Sequence, residues 1–190
     1  MRLFVAVLPP GAVVDELAAE VRELRRLPGA DGLRWTEPGG WHFTLAFMGD
    51  VPEETLPELR ERLTRAAHRT PAFRLALRGG GRFGDRALWA GADGEVDVMR
   101  RLAERSEAAA RKAGIAMDGH RRYTPHLTLA RSRAAAVDLR PYVDVLDAFA
   151  SEPWTVGDLA LVQSRLPRSS VAGERPRYEE VERWPLGAAG

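Results

Sequence analysis

Two short segments of the chain each pair a histidine with a threonine two residues later. The first is His42-Phe-Thr44-Leu-Ala, and the second is His126-Leu-Thr128-Leu-Ala. An unperturbed imidazole titrates at about pH 6.5, so one histidine can act as a general base while another, protonated, acts as a general acid. Threonine hydroxyls can donate hydrogen bonds to anionic oxygens. This set of groups predicts phosphodiester cleavage, which needs a base, an acid and donors to the non-bridging oxygens.

Both segments alternate apolar and polar side chains, as strands with one buried face do. In the first segment, alternation places His42, Thr44 and Ala46 on one face. The odd-numbered Phe43 and Phe47 then face the core. The second segment repeats this pattern, so the sequence predicts two strands that each present an imidazole, a hydroxyl and a small alanine on the same surface.

The two segments also occupy equivalent places in an internal repeat. His42 lies 39 residues after Leu3, and His126 lies 38 residues after Leu88. Each interval holds a strand, an amphipathic helix and a turn-rich loop. We therefore expect an α+β fold: bilobal, with internally duplicated β-α-β units, two antiparallel-rich sheets facing a central cleft, and helices outside.

Periodicity and turn residues indicate the elements of this fold. Strands are predicted over residues 2–8, 33–35, 41–48, 72–78, 86–91, 125–131, 154–165 and 177–184. Helices are predicted over residues 11–27, 52–68, 95–113 and 138–148. Gly79-Gly80-Gly81 is predicted to end its strand, and residues 167–174 are predicted to form a mobile loop. The whole chain, 1–190, is predicted to be one domain, with lobes at approximately 1–80 and 81–165 and closing strands over 154–186.

Composition excludes several other classes of protein. The chain has 28 basic and 27 acidic residues, a net charge of +1 that argues against coating of nucleic acid through many phosphate contacts. It has no cysteine, which excludes disulfide scaffolds, thiol catalysis and iron–sulfur clusters. The first apolar run is too short to export the chain or span a membrane, so we expect a cytoplasmic protein with no membrane association. Two imidazoles without a nearby carboxylate fall short of a metal site, and none is expected.

The paired segments resemble the two-histidine phosphoesterase superfamily. The resemblance covers nearly the whole chain and is most specific for its bacterial and archaeal RNA 2′,3′-cyclic phosphodiesterases, also named 2′-5′ RNA ligases. It rests on both histidine segments and on flanking matches at Arg2–Ala6, Trp41–Gly49, Thr124–Arg131, Ser164–Leu166, Tyr178 and Pro185-Leu186.

That resemblance implies a role for each residue. His42 would donate a proton to the leaving 3′ oxygen, and His126 would be the proton acceptor that activates water, giving a terminal 2′-phosphate. Thr44 and Thr128 would hold the phosphoryl oxygens. The family also places Arg131 near the phosphate, although alternation puts it opposite His126, so a bulge or the strand end must turn it inward. No cofactor is implied, and 2′-5′ ligation would be the reverse reaction without ATP or metal.

Other substrates and a binding role remain open at this point. The expected partner is an RNA 3′ end carrying a 2′,3′-cyclic phosphate, bound by a monomer. The same chemistry would suit small cyclic nucleotides or ADP-ribose cyclic phosphate, and a non-catalytic module could bind RNA 3′ ends without turnover. Arg121, Arg122 and Tyr123 precede the second segment and could meet an RNA backbone or stack on a base.

Overall fold

The computed structural model describes residues 1–119, 122–133, 135–167 and 176–187. These residues form four α-helices and nine strands. The helices are α1 (Gly11–Leu24), α2 (Leu56–His68), α3 (Val96–Lys112) and α4 (Arg140–Leu146). The strands are β1 (Arg2–Val7), β2 (Leu33–Trp35), β3 (Phe43–Asp50), β4 (Phe73–Phe83), β5 (Ala87–Gly94), β6 (Leu127–Ser132), β7 (Trp154–Val156), β8 (Asp158–Arg165) and β9 (Arg177–Pro185).

The strands form an antiparallel sheet with a symmetric order about its centre. The order is β7-β4-β5-β6-β3-β1-β8-β9, and β2 pairs with β6. One side of the centre contains β6, β5 and β4, and the other contains β3, β1 and β8. The pair Phe43–Leu127 joins β3 to β6 between these halves. The expected duplicated α+β fold is confirmed, and the two predicted sheets are the halves of one continuous sheet, joined at this pair.

One face of the sheet packs against the helices and forms the main core. Phe43, Leu45, Leu127 and Leu129 are all buried there. Since alternate residues of a strand point to opposite faces, the preceding histidines and the two threonines lie on the other side. We call that side, defined by His42, Thr44, His126 and Thr128, the histidine face.

The predicted faces of Ala46 and Phe47, in the part of β3 beyond Thr44, are wrong. Thr44 lies opposite Ala6 and Ala46 lies opposite Val5, so Leu45 is an extra residue in the pairing of β3 with β1. Such a bulge reverses the alternation beyond it. Ala46 is therefore in the core, at 4% exposure, and Phe47 is 50% exposed.

The same bulge occurs at the equivalent place in β6. Thr128 lies opposite Trp89 and Ala130 lies opposite Leu88, so Leu129 is the extra residue. Ala130 is fully buried, and Arg131 is exposed. The predicted position of the alanine is wrong here too, whereas the bulge that Arg131 required is present.

The three glycines do not end their strand as predicted. β4 continues through Gly79-Gly80-Gly81 and pairs with β5 at both Gly80 and Gly81. A Cβ atom on Gly81 would lie 2.4 Å from the Trp89 ring, and one on Gly80 would lie 2.4 Å from the Trp89 carbonyl oxygen. The missing side chains let β4 pass under Trp89, so these glycines support packing rather than a turn.

Most other elements lie close to their predicted positions. The first helix ends at Leu24, and the predicted strand over 154–165 is divided by Gly157 into β7 and β8. Trp35 and Trp41 are buried in the core. From residue 168 onward, the predicted mobile loop lies outside the described residues. No helix in the described ranges has the length and apolar composition needed to cross a membrane.

Candidate active site

His42 is held by two hydrogen bonds on the histidine face. Its Nδ1 lies 2.7 Å from the carbonyl oxygen of Gly40, and its Nε2 lies 2.9 Å from the hydroxyl oxygen of Thr44. A carbonyl can only accept, so Nδ1 carries a proton and donates it. In the neutral imidazole, Nε2 is then the free base and accepts a hydrogen bond from the Thr44 hydroxyl.

His126 is anchored in the same way. Its Nδ1 lies 2.8 Å from the carbonyl oxygen of Thr124, again two residues before the histidine. This bond makes Nδ1 the donor and leaves Nε2 to exchange protons with a ligand. The duplicated backbone therefore presents both imidazoles with the same nitrogen available for chemistry.

Aromatic rings surround each imidazole differently. The ring of Phe4 stacks on His42 with centroids 4.6 Å apart, and Tyr178 meets it edge-on at 5.4 Å. Beside His126, Phe83 makes an edge contact at 4.9 Å, and Trp89 lies at 6.1 Å. Each ring is thus restrained on one side by the protein while its Nε2 remains at the histidine face.

The electrostatic surroundings favour a neutral His42 in the free protein. Burial lowers the pKa of His42 from its ordinary value, and the bond to the Gly40 carbonyl opposes that shift. Positive charge on His126 and Arg131 lowers the pKa of His42 further. These interactions bring His42, His126 and Arg131 into one electrostatic cluster, even though they come from both halves of the sheet.

Phe47 is a site residue that the sequence reasoning missed. It lies opposite Phe4 in the pairing of β1 with β3, and Phe4 itself contacts His42. Because directly opposed residues share a face, Phe47 lies on the histidine face. The guanidinium of Arg2 lies over its ring, 4.9 Å from the centroid.

The two halves therefore carry different groups at equivalent positions. Phe47 follows Thr44 by three residues, and Arg131 follows Thr128 by the same interval. The internal repeat could have shown from the sequence that positions 47 and 131 are equivalent. Only the bulges, however, bring them to the histidine face.

The structure describes only part of the loop before β6, in which RNA contacts were predicted. Arg122 is exposed, and Arg121 lies outside the described residues. Tyr123 packs against the main core, with its hydroxyl buried and without a partner in the described chain. Burial raises the pKa of Tyr123, and contact of its ring with RNA stays a prediction.

The groups on the histidine face are suited to transferring protons next to a bound anion such as a phosphate. Two Nε2 atoms, two threonine hydroxyls and the guanidinium of Arg131 share the histidine face. Across the described residues, no group of three or more histidine, aspartate or glutamate side chains could hold a metal ion. The arrangement can give and take protons on two sides of a reacting phosphorus atom while donors stabilise its oxygens.

Known proteins share both this sequence and this fold. A model of the 2′-5′ RNA ligase superfamily matches residues 13–167. An RNA 2′,3′-cyclic phosphodiesterase of Archaeoglobus fulgidus is 30% identical over 186 residues, covering 95% of this chain and 98% of that protein. One from Thermus thermophilus is 32% identical over 197 residues, covering 98% of this chain and 90% of that protein.

A solved structure extends the likeness to the fold. Escherichia coli LigT complexed with 3′-AMP is 25% identical, with a TM-score of 0.76 and 97% of each chain covered. The family model spans most of this chain, and the Archaeoglobus and Thermus relatives align over nearly all of it. The chain therefore belongs to the 2′-5′ RNA ligase superfamily.

Proposed function

We propose that this protein hydrolyses 2′,3′-cyclic phosphate at the 3′ ends of RNA and leaves a terminal 2′-phosphate. The observation that carries the proposal is the pair of imidazoles, His42 and His126, each anchored through Nδ1 to a carbonyl two residues earlier. The names of the relatives supply the substrate class, since both curated proteins described above are RNA 2′,3′-cyclic phosphodiesterases.

In this reaction the two histidines have opposite roles. Nε2 of His126 accepts a proton from water, and the water oxygen forms a bond to phosphorus. The bond between phosphorus and the 3′ oxygen breaks, and protonated Nε2 of His42 donates its proton to that oxygen. The 2′ oxygen keeps the phosphate. The two anchors are alike and do not distinguish the proton donor from the acceptor. The family resemblance supplies this assignment of roles.

Substrate binding supplies the protonation that this role requires of His42. In the free protein, burial lowers the pKa of His42 and favours its neutral form. A phosphate anion beside Nε2 favours the imidazolium and raises that pKa. Proton uptake by His42 then accompanies substrate binding, and the donor is charged when the phosphate is in place.

Thr44, Thr128 and Arg131 stabilise the phosphoryl oxygens. The hydroxyl of Thr44 lies within hydrogen-bond distance of the donor histidine, at 2.9 Å. Thr128 occupies the equivalent position beside His126. Arg131 adds a full positive charge, and a guanidinium can bind two phosphate oxygens at once.

Phe47 provides a surface for the base of the terminal nucleotide. Half of its surface is exposed on the histidine face, three residues beyond Thr44. A base can stack on an aromatic ring whatever its sequence identity. The 3′-AMP in the structure of Escherichia coli LigT indicates that a relative binds a nucleotide, consistent with such a surface.

Ligation uses the same proton transfers, with a 5′-hydroxyl in place of water as the nucleophile that attacks phosphorus. It would join RNA ends through a 2′-5′ bond and consume the cyclic phosphate. A monomeric state and a cytoplasmic location stay predictions from the sequence.

The deciding experiment offers the purified protein cyclic-phosphate-ended oligonucleotides, cyclic mononucleotides and ADP-ribose cyclic phosphate in excess chelator. We expect RNA ends to be opened to 2′-phosphates without added metal, with the phosphate position read by NMR or by product mobility. Binding without turnover would instead identify a non-catalytic RNA-end module. A 3′-phosphate product, or dependence on a divalent ion, would contradict the mechanism.

A further inference from the structure

Arg34 lies directly opposite Arg131 where β2 pairs with β6. Its neighbours Leu33 and Trp35 are buried in the core, while Arg34 is exposed. Directly opposed residues share a face of the sheet. Since the bulge at Leu129 puts Arg131 on the histidine face, Arg34 lies there too.

No carboxylate of the described residues pairs with either of these like charges. Within the described ranges, neither Arg34 nor Arg131 forms an ion pair with an acidic side chain. Like charges directly opposite each other destabilise a sheet. An anion beside each guanidinium group would remove that cost.

One more arginine extends the positive charge beyond this pair. Arg133 follows β6, two residues after Arg131, and is exposed. We call Arg34, Arg131 and Arg133 the arginine rim.

We propose that Arg34 binds a phosphodiester of the RNA strand beyond the terminal nucleotide, and so makes the enzyme prefer strands to mononucleotides. This inference rests on the proposed function. Arg131 is the member of the rim whose charge acts on His42, so it serves the reacting phosphate. Arg34, on the neighbouring strand, is not among the charges that lower the pKa of His42, which leaves it for a second phosphate.

The size of the effect follows from counterion release. For single-stranded nucleic acid, the logarithm of the binding constant falls by about 0.7 per decade of salt for each phosphate neutralised. Relative to about 1 M salt, one such contact strengthens binding about fivefold at about 0.1 M. Loss of Arg34 should remove about that much affinity for a strand and none for a mononucleotide.

The test compares Arg34→Gln with wild type in two measurements. The first is equilibrium binding of a labelled oligoribonucleotide of about twelve nucleotides that ends in a 2′-phosphate, over a range of salt. The second is kcat/KM for the cyclic-phosphate form of that oligonucleotide and for a mononucleoside 2′,3′-cyclic phosphate. The matched control is Arg22→Gln, which removes the same charge from an exposed position on α1.

We expect Arg34→Gln to bind the oligonucleotide about fivefold more weakly at about 0.1 M salt, with a salt slope shallower by about 0.7. Its turnover of the mononucleotide should match wild type. Arg34→Lys should recover most of the binding, because a phosphodiester contact needs mainly charge. The melting temperature of Arg34→Gln should not fall, since a repulsive pair is removed.

Two results would overturn the inference. One is unchanged oligonucleotide binding, and the other is an equal loss for strand and mononucleotide. Failure of the proposed function has a different signature: wild-type protein would open neither cyclic phosphate. The binding measurement needs no turnover, so it would still decide the role of Arg34.

Discussion

Phe43 of β3 lies opposite Leu127 of β6, and this pair joins the two halves of the sheet in the described chain. Each residue follows one of the histidines directly. The spacing of the two imidazoles therefore depends on one backbone pairing between strands that are 84 positions apart in the chain. Both side chains are fully buried, so packing beneath the sheet holds the catalytic geometry above it.

Replacing either His42 or His126 by alanine should slow hydrolysis by about 10²- to 10⁴-fold, because each loss removes one proton-transfer group. The double variant should be scarcely slower than a single one, since both groups act on one phosphorus atom in one step. Single-turnover hydrolysis of a cyclic-phosphate RNA measures this, with circular dichroism as the control for folding. Near-normal turnover in a folded single variant would refute the paired mechanism.

The pH dependence of kcat/KM should differ from that of kcat. In the free protein, the lowered pKa of His42 leaves the protonated donor scarce above that pKa. Bound phosphate raises the same pKa. The alkaline limb of the kcat/KM profile should therefore lie at lower pH than the alkaline limb of kcat. Coincident limbs would mean that substrate does not change the protonation of His42.

The same shift makes stability depend on pH. Folded His42 binds a proton less readily than unfolded His42, so its neutral form supports folding fully above about pH 6.5. As pH falls below that value, the free energy of unfolding should decrease. Urea titrations of wild type and His42→Gln, which cannot titrate there, measure the difference. Equal losses in the two proteins would assign the acid sensitivity to other groups.

Thr44→Val and Thr128→Val should each cost about 10- to 150-fold in rate, because a hydrogen bond to a charged oxygen contributes roughly 1.5–3 kcal/mol. Thr44→Val also removes the hydroxyl that bonds to Nε2 of His42. Its pH profile should therefore change, whereas Thr128→Val should keep the wild-type profile. Serine at either position should recover most of the rate. Indistinguishable profiles would argue against the bond between Thr44 and His42 in the working enzyme.

Phe47→Ala should lower kcat/KM by about 5- to 150-fold, the range that corresponds to a base–aromatic stack of roughly 1–3 kcal/mol. Phe47→Trp should keep activity. Because the side chain is 50% exposed, the melting temperature should change little. Steady-state kinetics on a mononucleoside cyclic phosphate measures the effect. Unchanged kinetics in the alanine variant would place the base elsewhere.

Gly81→Ala should destabilise the fold by about 1–3 kcal/mol, since the new Cβ atom would lie 2.4 Å from the Trp89 ring. The displaced ring also contacts His126, so kcat should fall as well. Gly39→Ala is the matched control, because a Cβ atom there meets nothing within 4 Å. Denaturant unfolding and single-turnover rates test both effects. A stability equal to that of the control would show that Trp89 yields without strain.

Local sequence determined the chemistry and much of the fold. His42 with Thr44, and His126 with Thr128, share a face because alternation over two residues is a local property of any strand. The repeated order of strand, helix and histidine strand likewise follows from hydrophobic periodicity, which depends on neighbouring residues alone.

Tertiary structure decided which other residues join that face. The bulges at Leu45 and Leu129 exist only in the pairing with β1 and β5. No local pattern could therefore show that Phe47 and Arg131 lie on the histidine face. Likewise, Gly81 continues a strand because Trp89, from another strand, must lie against it.

The clearest case is Arg34, which lies 97 positions before Arg131 in the chain and directly opposite it in the sheet. Residues so far apart meet only through the register between strands. That register is set by burial of whole apolar faces, since a one-residue slip would expose every core side chain of a strand. The local sequence thus determined which residues react and that each histidine shares a face with its threonine. Long-range packing decided which charged and aromatic side chains lie around them.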